Sequence, residues 1–234
     1  MVRLKAEEFL RKALQRSKTG LQETDAIILD AKATRFQNNA RLQITYIDLR
    51  KNIVSRKSAD ASWYEILEKK YRDALGNGKL LLAKISYEFN RIEKIEFKSE
   101  AEISKVLEIL DAIADADPKY KYVELEGKFI DQDTSCAVVM QSGSVIIPYN
   151  LVSIQLLKDS MHGKNISAVI IAHEGLNSNV IDAFIIKSIE EESTTGKGEE
   201  GTEDEDTTTE EERVELPSEK QKIVDELLAQ LRES

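Results

Sequence analysis

The sequence predicts an α+β protein: an N-terminal bundle of about five helices, then a small antiparallel β-sheet or partial barrel, then a disordered acidic tail ending in a helix. Three observations carry this expectation. Apolar residues in the first half recur at spacings of three and four. Residues 118–189 concentrate Val, Ile and Tyr between turn residues. After Ile189 apolar side chains nearly vanish until the last turns of the chain.

Leu4, Phe9, Leu10, Ala13 and Leu14 predict a helix over 3–18, and Gly20 marks a break after it. Leu42, Tyr46, Leu49 and Ile53 form a seam of alternating four and three, which predicts a long helix over 23–56 packed inside a bundle. Trp63, Ile66, Leu67, Tyr71 and Ala74 predict a third helix over 61–75, ended by Gly76-Asn77-Gly78. Leu82, Ile85, Phe89 and Ile92 predict a fourth over 79–96. Ser99 with Glu102 has the spacing of a capping box. It opens a fifth helix, with Ile103, Val106, Leu107, Leu110 and Ile113 on one face. Asp117-Pro118 stops it.

Strands are expected over 120–130, 135–142, 144–149, 166–173 and 180–189, with a helical turn within 151–163. Pro148 suits a strand end or edge. Apart from Lys197 and Arg213, Glu190 to Glu215 is Glu, Asp, Thr, Ser and Gly with Val214 as its one apolar residue. Such a segment cannot offset its ordering entropy and is expected to be disordered. Ser218 and Gln221 again have capping-box spacing, and Ile223, Val224, Leu227, Leu228 and Leu231 make one stripe on a terminal helix. The expected units are 1–117, 118–189, 190–216 and 217–234.

Charge is divided by segment. Residues 1–57 hold 13 Lys/Arg against 6 Asp/Glu, whereas 190–215 hold 2 against 13. The acidity of the chain is almost wholly its tail, and its first segment is basic. Arg3, Lys5, Arg11, Lys12, Arg16, Lys18, Arg35, Arg41, Arg50 and Lys51 are the candidate contacts to nucleic acid or to a partner. A flexible tail of this length has a mean reach of about 26–31 Å. It imitates the charge density of a nucleic-acid backbone and competes for a basic surface. The terminal stripe, Ile223, Val224, Leu227, Leu228 and Leu231, reads as a docking helix seeking a groove.

No run approaches 18 apolar residues, so no membrane insertion is expected. The N-terminus lacks the apolar run of a signal peptide. The single cysteine, Cys136, lies in an apolar run and reads as a buried hydrophobe. These features predict a cytoplasmic protein.

Catalytic chemistry is poorly provided for. One Cys and two His at these spacings make no zinc site, and no metal or cofactor is expected. Gly76-Asn77-Gly78-Lys79 fails as a phosphate loop, with Leu80 after the lysine and Asp73 where the first glycine belongs. Asp131-Gln132-Asp133 fails as a calcium loop, with Cys136 where a glycine is needed. His173, Glu174 and Asp182 are the residues of the β half around which an unfamiliar enzyme site would be built.

The compact body followed by the acidic stretch Glu190 to Glu215 resembles the larger accessory subunit of archaeal B-family DNA polymerase holoenzymes. That resemblance implies a non-enzymatic subunit that binds a DNA polymerase or other nucleic-acid enzyme, with weak or indirect DNA contact of its own. Separately, Val224 to Arg232 is similar to the C-terminal motif by which ESCRT-III-like proteins recruit an ATPase. The alternative expectation is therefore a cytoskeletal or membrane-remodelling adaptor. That motif usually has Arg where Leu227 stands.

Overall fold

The computed structural model describes residues 20–36, 39–175, 179–190 and 214–233. The helix expected over 3–18 lies outside them. The helical bundle expected from 23 to 96 is not formed: apart from one helix, this stretch is a β-barrel.

Strand β1 (Gln22–Phe36) pairs antiparallel with β2 (Asn39–Asp48) along its second part and with β4 (Lys79–Glu88) along its first. β2 pairs with β3 (Ile53–Asp60), and β4 with β5 (Arg91–Glu102). A parallel contact between Ser58 and Arg91 closes the barrel in the order β1-β2-β3-β5-β4. Helix α1 (Trp63–Gly76) connects β3 to β4 and buries Leu67, Tyr71 and Ala74. This strand order, with a parallel β3–β5 closure and a helix between the third and fourth strands, is the topology of the OB-type Greek-key barrel.

The helical expectation failed for a physical reason. A half-exposed strand alternates apolar and polar residues, but a strand covered on both faces reads as a continuous apolar run. Leu80, Leu81, Leu82, Ala83 and Ile85 are all buried, as are Ile44, Thr45, Tyr46 and Ile47. From such runs a seam of spacing three and four can always be chosen. The residues that seam leaves out are buried equally well.

Helix α2 (Ile103–Ala116) buries the face its spacing predicts, but it starts four residues later than expected. Ser99 lies within β5, paired with Leu82, and Glu102 makes no side-chain cap. The capping box is therefore absent.

The second half follows the pattern of the sequence. β6 (Tyr120–Asp131), β7 (Ser135–Met140), β8 (Gly143–Pro148), β9 (Asn165–Glu174) and β10 (Asn179–Glu190) form an antiparallel sheet ordered β10-β9-β6-β7-β8. Helix α3 (Val152–Met161) links β8 to β9, and Pro148 ends an edge strand. One face of this sheet gives Val169, Ile171, Ala183 and Ile185 to the core of the barrel. The other makes a second core from Leu125, Phe129, Val138, Ile154 and Met161.

The sheet crosses the outer face of β1, β2 and β3, with β10 packed along β1 and Asp182 meeting Arg56 of β3. Thr45, Ile47 and Val54 are buried there, and the Tyr120 hydroxyl donates to the Val54 carbonyl at 2.8 Å. Helix α4 (Ser218–Glu233) returns to the body beside α2, β4 and β5. No helix among the described residues is long and apolar enough to cross a membrane.

Candidate functional site on the barrel rim

The ends of β1, β2, β3 and β5 meet at one rim of the barrel. Arg35 and Arg41 flank the β1–β2 connection, with Thr34 paired to Arg41. Arg41 in turn faces Asp60 across the β2–β3 pair. Arg91 enters from the start of β5, beside Ser58. The Asp60 carboxyl is held below its usual range, first by the Ser62 amide and hydroxyl and then by the charges of Arg91 and Arg41. One carboxylate thus shares this rim with two guanidinium groups.

The β4–β5 turn lies next to them. Its tip is Phe89, which is 56% exposed. The Lys57 ammonium donates to the Phe89 carbonyl at 2.9 Å and stands 4.1 Å from the centroid of the Tyr87 ring. A cavity of about 200 Å³ opens beside this turn, lined by Tyr46, Lys51, Ser55, Lys57, Tyr87 and Phe89 together with Gln22 and Asp48. The Asp48 carboxylate is engaged by the amides of Arg50 and Lys51 at 3.0 and 3.2 Å. Cations around an exposed ring suit an anionic ligand with planar groups.

The structure divides the basic residues expected from sequence. Arg35 and Arg41 are on the rim, and Lys51 lines the cavity. Arg50 lies elsewhere, 2.8 Å from Asp25 in a groove of about 580 Å³ shared with Lys84, Lys98, Arg232, Leu228 and Leu231. Lys84 and Lys98 carry their own partners, Glu23 and Glu96, each at 2.7 Å. Arg3, Lys5, Arg11, Lys12, Arg16 and Lys18 lie outside the described residues. Phe89 and Arg91 were missed because the turn between two strands was hidden inside an expected helix.

The docking helix is already docked. Val224, Leu227 and Leu231 are buried against the body, and Ile223 and Leu228 are partly buried there. Lys220 meets Glu108 at 2.7 Å, and Lys105 meets Glu226 at 3.0 Å. The Val214 amide donates to the Lys51 carbonyl at 2.9 Å. The Asn52 amide group donates to the Val214 carbonyl and to Gln221 Oε1. Gln221 therefore serves the tail's return rather than the expected capping box. Of the expected acidic linker, residues 191–213 lie outside the described residues.

His173 and Asp182 come together, but Glu174 is exposed and apart from them. Asp182, buried at a bulge of β10, accepts from Arg56 at 2.7 Å and bonds His173 Nδ1 at 2.6 Å. Arg56 also reaches His173 Nε2 at 3.1 Å. A guanidinium has only donors, so Nε2 accepts and the imidazole proton sits on Nδ1. Both ring nitrogens are thereby engaged, and this cluster ties the barrel to the second sheet.

A second tie is Asp30, fully buried beside a bulge of β1. It accepts from the Ser153 hydroxyl, and from the amides of Ser153, Phe184 and Ala31 at 3.2, 3.1 and 2.7 Å. His162 Nδ1, just after α3, accepts from the Asp131 amide at the end of β6 at 3.0 Å. Burial pushes the Cys136 thiol up to about 12. Among the described residues no group of three His, Cys, Asp or Glu could hold a metal ion. No family model, curated protein or solved structure matches this chain.

Proposed function

We propose that this protein is a non-enzymatic accessory subunit of a nucleic-acid-processing complex, with DNA replication favoured. The observation that carries the reading is the rim: Arg41 and Arg91 near Asp60, and Lys57 held on the carbonyl of an exposed Phe89, on an OB-type barrel. Barrels of this topology bind oligonucleotides and oligosaccharides through loops and strands in this region. Here the second sheet packs on the outer face of β1 to β3, and the rim with its exposed Phe89 lies beside it. A protein partner, of the DNA-polymerase kind, would hold the body close to nucleic acid.

The acidic stretch between Glu190 and Val214 enters as a competitor. Both of its flanking residues are part of the folded body, and Val214 is bonded to Lys51, which lines the cavity, so the tether sets an effective concentration of order millimolar. The test follows from this tethering. Residues 191–213 are replaced by a Gly/Ser segment of equal length, and binding of single-stranded DNA is followed across salt. The replacement should tighten binding several-fold at low salt and lose the gain at high salt. Equal affinities of the two proteins at low salt would rule out competition by the acidic stretch.

A further inference from the structure

We propose that Phe89 is a stacking platform for one unpaired base of a single-stranded nucleic acid, with the adjoining lysine-lined cavity receiving the attached sugar-phosphate. This rests on the nucleic-acid reading above and gives it an address. Three observations carry it.

The first is backbone strain without a structural return. Glu88 pairs with Arg91, so Phe89 and Asn90 are the two central residues of a hairpin turn. Phe89 has φ +52°, a conformation that bulky residues rarely adopt and that such turns give to Gly or Asn. The residue is nevertheless 56% exposed, so burial does not offset the strain. Strained residues of this kind concentrate at ligand sites.

The second is the charge fixed beside the ring. Lys57 is held on the carbonyl of Phe89 itself, at 2.9 Å, with Tyr87 beneath its ammonium. A backbone phosphate reaching Lys57 would bring its base to the level of the turn. The third is the cavity of about 200 Å³, whose lining includes Lys51, Lys57, Ser55 and Gln22. An exposed ring and a polar cavity side by side match the two halves of a nucleotide. The faces of bases in a duplex are already covered by their neighbours, which favours a single strand.

The experiment uses the full chain and a fluorescent oligo-dT, read by anisotropy at low salt. Phe89→Gly should weaken binding by about tenfold, as expected for the loss of one base–aromatic stack. The same substitution should raise the melting temperature, because glycine relaxes the turn. A ring with a merely structural role would move the melting temperature the other way. The second arm is a strand of the same length without bases, which both proteins should bind equally.

Unchanged affinity of Phe89→Gly for oligo-dT overturns the proposal, as does a deficit that persists on the base-free strand or a lowered melting temperature. In those cases the cation-based reading of the rim stands. Failure of the unaltered chain to bind any single strand in a salt-dependent way defeats that reading and this proposal with it.

Discussion

Two carboxylates do much to join the second sheet to the barrel, and each sits at a β-bulge, where the backbone re-aims a side chain. Asp30 meets one hydroxyl and three amides. Asp30→Ala leaves those buried donors short of an acceptor, each costing about 1–3 kcal/mol. The expected loss is at least ~3 kcal/mol, read from the urea midpoint. Burial lifts the Asp30 carboxyl to about 6 from its ordinary 3.8, against the pull of its Ser153 hydrogen bonds. Its folded pKa lies above its unfolded one. Its contribution to stability is therefore complete below pH 3.8 and is lost as pH rises through about 6. The span amounts to roughly 3 kcal/mol. Asp30→Asn should flatten stability against pH between those values, and an unchanged slope would assign the dependence to other groups. At the other bulge, Arg56→Met leaves Asp182, 1% exposed, facing His173 alone. Removing one partner of a buried pair costs about 3–5 kcal/mol, which thermal unfolding would show. The sequence singled out His173 and Asp182 together, but neither Asp30 nor Arg56 was legible as a tie. Arg56 and Asp182 are 126 residues apart, and only the fold brings them together.

At the scale of elements, the terminal helix shows what periodicity does and does not convey. The stripe of Val224, Leu227 and Leu231 was legible because i, i+3 and i+4 spacing implies a buried face. The surface that buries it was not, since a stripe names no partner. Leu227→Ala should cost about 2–4 kcal/mol of stability in the isolated protein. A helix reserved for an external groove would show no such loss in chemical denaturation. The strands after Tyr120 were legible within two residues because turn residues bound each of them. The barrel strands were not, because β1, β2 and β4 are covered by the barrel interior on one side and by the second sheet or helices on the other. Phe89 was lost with them: as part of a helical seam it counted as core, whereas at a hairpin tip it is a candidate contact.

For the molecule as a whole, the charge asymmetry read from the sequence survives the change of fold, but its meaning narrows. Among the described residues, the basic segment does not form one helical face. Arg35 and Arg41 lie at the rim with Arg91, which belongs to a different stretch of sequence, while Arg50 faces a groove on another side. The residues that flank the acidic stretch, Glu190 and Val214, both belong to the folded body. The proposed reading, a binding module with a tethered competitor, rests on these placements. The central claim is that the rim contacts nucleic-acid phosphate. The most direct measurement is the salt dependence of single-stranded DNA affinity for the full chain and for the Arg41→Ala/Arg91→Ala variant. Loss of two phosphate contacts should weaken binding at low salt and reduce the slope of log K against log salt by about 1.4. Unchanged affinity and slope in the variant would contradict the account.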